Sequence, residues 1–135
     1  MRIGVLGSGG REHALVWALT RNSGRPSVYA LPGNGGTPRS VELDPLDREA
    51  VARTADDLRL DLLVVGGEEA LARGVVDRLA KTATVAFGPT ARAARLETSK
   101  LWAKGFLDRH GIPRAPWREA QCEDDVRSAA RRWGR

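Results

Sequence analysis

The feature that most constrains this chain is a glycine-rich turn close to its amino terminus. An apolar run at residues 3–6 is followed by the sequence GSGG at residues 7–10, and a charged, helix-compatible segment begins at Arg11. This order predicts a strand, a tight turn and a helix. The N–H groups of Gly9, Gly10 and Arg11 are predicted to form a cradle for a small anion, because they converge where the helix dipole favours negative charge. Two alternatives stay open: the turn could serve only close packing, and Arg11 could simply face solvent.

Alternating apolar patterns predict four strands separated by helices. The predicted strands are residues 2–6, 27–31, 61–66 and 84–87; the predicted helices follow the glycine turn, an N-cap at Asp44-Pro45, and the third strand (residues 69–80). The inner face of the first helix is predicted to carry Ala14, Leu15, Ala18 and Leu19. The third strand holds four consecutive apolar residues, typical of a strand covered on both faces. The order predicts a Rossmann-like, doubly wound α/β parallel sheet.

Beyond residue 90 the pattern becomes mainly helical. Helices are predicted at residues 91–96 and 99–110, an isolated strand at residues 115–119, and a last helix carrying Val126, Ala129, Ala130 and Trp133. This change of pattern predicts a boundary near residue 90, between a Rossmann-like domain at residues 1–90 and a short helical and β linker at residues 91–135. Trp102, Trp117 and Trp133 lie in this last part, which indicates an apolar surface on which something further packs.

Composition excludes several classes of protein. Cys122 is the only cysteine among 135 residues, which excludes an internal disulfide and fits a reducing compartment. No stretch approaches the roughly 18 apolar residues of a membrane span, and the start lacks a signal-peptide pattern, so we expect a cytoplasmic protein without a membrane partner. The net charge of +5 arises in residues 91–135, without an aromatic and basic platform or zinc-ligand spacing. We therefore expect neither a nucleic-acid partner nor a metal site.

The glycine turn does not match a dinucleotide site. The third position of the G-x-G-x-x-G pattern is Glu12, where close packing of helix and strand favours glycine or alanine. The end of the second strand, residues 31–34, lacks the carboxylate that would bind the adenosine ribose of NAD or FAD. The predicted ligand is therefore a smaller anion.

Other loops are predicted to complete the site, because the carboxyl ends of parallel strands share one edge of the sheet. The loops at residues 32–37, 66–69 and 88–90 supply backbone amides, an asparagine, two carboxylates and a threonine hydroxyl. Such a set suits a phosphate at one end of a sugar and hydroxyl groups at the other. Glu68 is predicted to accept hydrogen bonds from a vicinal diol, whereas Glu69 is predicted only to favour the start of the next helix.

Four stretches resemble, in their order and spacing, glycinamide ribonucleotide synthetase, also called phosphoribosylamine–glycine ligase. They are GSGGREHAL (residues 7–15), LPGNGGT (31–37), DLLVVGGEEAL (61–71) and FGPTARAARLETSKLWAKGFLDRHGIP (87–113). The resemblance implies a pre-ATP-grasp domain, which precedes the ATP-grasp fold in that family. It implies a ligase of purine biosynthesis that uses ATP to phosphorylate glycine, after which the amine of 5-phosphoribosylamine attacks the acyl phosphate. The products would be glycinamide ribonucleotide, ADP and phosphate.

The resemblance also implies roles for individual residues. Gly10 and Arg11 would bind the substrate phosphate, Glu68 would bind the ribose, and Gly33 and Asn34 would line the same crevice. Lys100 would face ATP phosphates once a following domain is in place, although an exposed helical lysine is equally compatible with its position. No catalytic residue, metal ligand or cofactor is assigned within this chain, and ATP and magnesium belong to the full-length family.

Two departures from the family pattern affect the expected function. Where the family reads glycine-proline-glutamate-alanine-proline, this chain has GEEAL at residues 67–71, so both prolines are missing and a charge is added. Full synthetases are several times longer, and the chain stops where the ATP-grasp strands should begin. We expect a phosphoribosyl-binding portion that is inactive alone and needs an ATP-grasp domain in cis or in trans. The alternatives are a free-standing paralogue that binds phosphosugars or docks onto a separate ATP-grasp subunit, and an unrelated nucleotide-binding protein.

Overall fold

A computed structural model describes residues 1–133, which divide into two compact units, the first Met1–Thr98 and the second beginning at Ser99. In the first unit, the elements in chain order are β1 (Arg2–Gly7), α1 (Gly10–Thr20), β2 (Ser27–Pro32), α2 (Arg48–Asp57), β3 (Leu62–Val65), α3 (Glu68–Ala72), α4 (Val75–Leu79), β4 (Val85–Phe87) and α5 (Ala91–Thr98). The four strands form one sheet in the order β2-β1-β3-β4, and each neighbouring pair is parallel.

Helices cover both faces of this sheet, which confirms the doubly wound α/β prediction. On one face, Val16 of α1 packs on Val5, Val28 and Ala30 of the two strands nearest to it. On the other face lies a larger core built from β1, β2 and β3 and from helices α2 to α5; its fully buried members include Leu6, Leu31, Val51, Leu63, Val75 and Leu79. Adjacent strand residues point to opposite faces, so the apolar runs of β1 and β3 supply both cores.

Coverage on both faces is complete only at β1, whose residues 3–6 are all buried. In β3, Leu63 and Val65 are buried, whereas Leu62 and Val64 on the opposite face are half-buried. In the edge strand β4, Val85 and Phe87 are mostly exposed. The predicted coverage of the third strand on both faces is therefore only partly correct.

In the first unit, three local predictions are wrong in whole or in part. Of the predicted face of α1, Leu19 packs on the Val16 cluster, but Ala14, Leu15 and Ala18 are exposed. The buried residues are Glu12 and Val16, because Glu12 is drawn inward at the glycine turn. The N-cap of α2 is Asp47 rather than Asp44: Asp47 Oδ1 accepts from the N–H groups of Glu49 and Ala50 at 3.0 Å each. Asp44 instead closes a turn by accepting from the N–H of Leu46 at 2.9 Å. Residues 69–80 form two helices, because Gly74 adopts a left-handed conformation with φ of 80°.

The second unit consists of α6 (Lys100–Arg109), α7 (Glu123–Trp133) and the segment between them. Ser99 caps α6 by accepting from the N–H of Trp102. Asp108 accepts from Trp117 Nε1 at 3.0 Å and also pairs with Arg114. Residues 115–119 are not a strand, because these side-chain contacts hold the segment without a partner strand. Neither helix contains a buried residue.

The first unit extends to Thr98 because α5 packs on α3. The division into functional domains at residues 1–90 and 91–135 stays a prediction. No helix among residues 1–133 has both the length and the apolar character needed to cross a bilayer.

Candidate functional site

Three loops meet at the edge of the sheet where β1, β2 and β3 end, and we call this edge the carboxyl rim: residues 7–11, 33–37 and 66–68. Gly33 N–H donates to Gly7 O at 3.2 Å, and Asn34 Nδ2 donates to Ser8 O at 3.0 Å. Arg11 Nη2 lies 3.0 Å from Glu68 Oε2. The structure thus brings together Gly9, Gly10, Arg11, Gly33, Asn34 and Glu68, as the sequence predicts. Their roles in binding stay a prediction.

The start of α1 supplies fewer free N–H groups than predicted. Gly9 is the N-cap, and its N–H donates to Glu12 Oε2 at 2.8 Å, so it is already satisfied. The N–H groups of Gly10 and Arg11 have no acceptor within residues 1–133. The cradle therefore offers two amide donors, at the positive end of an 11-residue helix.

Glu12 is the rim residue that sequence reasoning missed. Its side chain is only 7% exposed, and Oε1 is buried without a hydrogen-bond partner in the described part of the chain. Glycines make room for it: a Cβ on Gly7 would lie 2.7 Å from Glu12 Cγ, one on Gly9 would lie 2.6 Å from Oε2, and one on Gly66 would overlap Oε1. The signal was present, because a glutamate three residues after an N-cap is the pattern of a capping box.

Arg11 and Glu68 form an exposed ion pair, with side chains 71% and 48% accessible. The hydrogen bond and charge of Glu68 raise the pKa of Arg11, and Glu12 adds to this effect. The pKa of Glu68 is lowered, first by its own backbone N–H and then by Arg11. Both groups are therefore charged at neutral pH, and each already has a partner before any ligand binds.

The loop after β2 is tied down by its own contacts. Asn34 N–H donates to Thr37 Oγ1 at 2.8 Å, and Asn34 Oδ1 accepts from Gly36 N–H at 3.0 Å. Gly33 has φ of 77°, a conformation that favours glycine, and a Cβ there would overlap Thr37. Gly33 and Asn34 thus have structural roles that are independent of any ligand.

The remaining predicted positions contribute less to the rim. Thr90 Oγ1 accepts from the N–H of Ala93 at 3.4 Å, so it supports the start of α5. Glu69 is exposed in the first turn of α3. Lys100 is exposed at the first position of α6 in the second unit. Across residues 1–133, no three His, Cys, Asp or Glu side chains cluster in a way that could hold a metal ion.

Comparison with known structures supports the fold. The chain matches a solved structure described as glycinamide-RNase-transformylase T from Mycobacterium tuberculosis, with a TM-score of 0.73 and 24% identity over 99% of this chain and 39% of the other. The biotin carboxylase subunit of a pyruvate carboxylase matches with a TM-score of 0.64 and 16% identity, over 99% of this chain and 33% of the other. Both likenesses support an α/β fold built on a four-stranded parallel sheet.

Sequence comparison is more specific. The chain is 47% identical over 122 residues to the trifunctional purine biosynthetic protein adenosine-3 of Gallus gallus, covering 87% of this chain and 12% of the relative. It is 46% identical over 120 residues to the phosphoribosylamine–glycine ligase of Ralstonia nicotianae, covering 87% of this chain and 28% of the relative. The chain therefore spans less than a third of the length of either relative. The family model for the phosphoribosylglycinamide synthetase N domain matches residues 1–97, and the chain belongs to that family.

Proposed function

We propose that the first unit binds the phosphoribosyl part of 5-phosphoribosylamine at the carboxyl rim. The observation that carries this proposal is the meeting of Arg11 and Glu68 at 3.0 Å, beside the free N–H groups that begin α1. A cation with amide donors suits a phosphate, and a carboxylate suits sugar hydroxyls. The similarity to phosphoribosylamine–glycine ligases supports the choice of ligand.

In this proposal each rim residue has one task. The N–H groups of Gly10 and Arg11, with the Arg11 guanidinium, bind the phosphate oxygens. Glu68 accepts hydrogen bonds from ribose hydroxyls. Gly33 and Asn34 border the crevice, and Gly9 holds the turn through its bond to Glu12.

The complete reaction would join glycine to the amine of 5-phosphoribosylamine at the expense of ATP, yielding glycinamide ribonucleotide, ADP and phosphate. ATP and magnesium would be bound by an ATP-grasp portion, supplied in cis or in trans, and the described residues carry no step of that chemistry. We propose that the 135-residue chain alone, in the cytoplasm, has no ligase activity. A turnover assay with phosphoribosylamine generated in situ, glycine and MgATP should release no phosphate in step with product.

A second candidate is a free-standing module that binds phosphosugars or docks onto a separate ATP-grasp subunit. It is favoured by residues 67–71, GEEAL, which lack the two prolines of the family pattern. Without prolines the unbound loop loses more conformational entropy on ordering, which weakens binding. Restoration of ligase turnover by an added ATP-grasp polypeptide would favour assembly in trans.

A thermal-shift series tests the ligand class. Ribose 5-phosphate and glycinamide ribonucleotide should raise Tm, because a ligand at 100 times its Kd stabilises the folded state by about 2.7 kcal/mol. Arg11→Met should remove most of the shift, whereas Arg53→Met, at an exposed position on α2, should keep it. Stabilisation by NAD alone would contradict the proposal.

A further inference from the structure

Arg11 and Glu68 contact each other in this structure, although the proposed function assigns them to opposite ends of the ligand. Arg11 Nη2 donates to Glu68 Oε2 at 3.0 Å, across the gap between the loop after β1 and the loop after β3. Both side chains are largely exposed, so solvent screens the pair and a ligand can open it. Opening it leaves the Arg11 guanidinium without a protein partner and the Glu68 carboxylate with only its own backbone N–H, unless the ligand satisfies both groups.

A bare phosphate satisfies only one of them. It would take the Arg11 guanidinium and leave the Glu68 carboxylate unpaired close to a dianion, where like charges repel. The buried carboxylate of Glu12 adds a second negative charge on the same side, and its position is held by the bond to Gly9. Against two carboxylates, the rim offers one guanidinium and the two free amides of Gly10 and Arg11.

A sugar phosphate satisfies both. Its phosphate takes Arg11 while its hydroxyl groups donate to the released Glu68, so the carboxylate exchanges one partner for another. We propose that the Arg11–Glu68 pair makes the rim selective for ligands that carry an anion and hydroxyl donors on the same molecule, and makes it discriminate against inorganic phosphate. This inference rests on the proposed function and deepens it, because it assigns Glu68 a role in rejection as well as in binding.

The test compares inorganic phosphate and ribose 5-phosphate on three proteins by calorimetric titration at low salt. Glu68→Gln keeps the size of the side chain and an acceptor oxygen but removes the charge. It should tighten the binding of inorganic phosphate by about three- to tenfold and leave ribose 5-phosphate equal or weaker. The matched control is Glu69→Gln, which removes the same charge from the next residue, exposed in the first turn of α3. It should keep the wild-type ratio of the two affinities.

The outcomes separate the two proposals. The quantity compared is the affinity for ribose 5-phosphate divided by the affinity for inorganic phosphate. A fall of at least threefold in this ratio for Glu68→Gln alone supports the inference. An equal change in both variants would mean that only net charge matters, and an unchanged ratio would mean that the pair does not select; either result overturns the inference while the proposed function stands. Failure of ribose 5-phosphate to bind the wild-type chain, with inorganic phosphate still bound, would overturn the proposed function itself.

Discussion

The two units of this chain are stabilised in different ways. In the described chain, the buried apolar residues run from Ile3 to Ala94, all within the first unit. Helices α6 and α7 of the second unit contain no buried residue. There, side chains contact each other at the surface: Trp102 stacks on Phe106 at 5.4 Å, and Asp108 holds Trp117. Burial is the dominant favourable term in folding, so the first unit should account for nearly all of the stability.

The difference also locates the candidate site. The carboxyl rim stands on strands that are fixed by two cores, so its loops start from rigid ends. Functional groups on loops depend on such a scaffold for their geometry. Substitutions in the core should therefore disturb both the stability of the fold and the geometry of the rim, whereas substitutions in the second unit should affect both less.

The largest expected effect comes from the same substitution made in each unit. Leu63 is fully buried, so Leu63→Ala should lower the free energy of unfolding by about 2–5 kcal/mol, through lost burial and the cavity that remains. Leu101 is 49% exposed on α6, and Leu101→Ala should change it by no more than about 0.5 kcal/mol. Urea denaturation measures both. Equal losses would show that the second unit shares the cooperative core.

The second largest effect on stability is expected where glycines leave space for the Glu12 side chain. A Cβ at Gly66 would overlap Glu12 Oε1, so Gly66→Ala should lower the free energy of unfolding by about 1–3 kcal/mol and weaken ribose 5-phosphate binding. A Cβ at the neighbouring Gly67 would meet no atom within 4 Å, so Gly67→Ala is the matched control and should be nearly neutral. If both variants lowered the free energy of unfolding equally, the cause would be a change in loop flexibility rather than displacement of Glu12.

A smaller effect is expected at the N-cap of α2. The N–H of Ala50, and then that of Glu49, lowers the pKa of Asp47 from its ordinary value of 3.8. The cap therefore stabilises the fold fully above that value, and its contribution is lost as the pH falls through the lowered pKa, because the unfolded chain takes up the proton first. Asp47→Ala should lower Tm by a few degrees at pH 7 and by less at pH 3. A pH-independent loss would assign the effect to helix propensity.

The smallest effect on global stability is expected when the pH is lowered and Asp108 of the second unit takes up a proton. Desolvation acts to raise the pKa of Asp108, but the hydrogen bonds from Trp117 and Arg114 and the nearby charges outweigh it, so its pKa is lowered. The contact with Trp117 should persist above the ordinary carboxyl range and open as the pH falls through the lowered pKa. The indole N–H signal of Trp117 should then move while core methyl signals stay. Loss of both together would contradict the contrast between the units.

Much of the fold followed from local patterns. An apolar run and four small residues predict β1, the turn and α1 because neighbouring residues decide each step. The shared edge of parallel strands then predicts that the loops carrying Arg11 and Glu68 lie close together.

What failed depended on partners distant in the sequence or on competing local signals. The buried face of α1 depends on Glu12, whose carboxylate needs the space that Gly66 leaves beyond β3. The motif DPLD at residues 44–47 offers two possible caps; in the structure Asp47 caps the helix, while Asp44 closes the turn before it. The pairing of Arg11 with Glu68 requires side-chain geometry that no sequence pattern specifies.

Amide chemical shifts of a ¹⁵N-labelled sample titrated with ribose 5-phosphate test the location of the site most directly. A binding rim in the first unit predicts that the signals of Gly10, Arg11 and Gly67 move along one saturation curve, while those of Ala129 and its neighbours in α7 stay in place. The location of the site at the carboxyl rim would be contradicted by saturating chemical-shift changes centred on the second unit, or by the absence of chemical-shift changes at the rim.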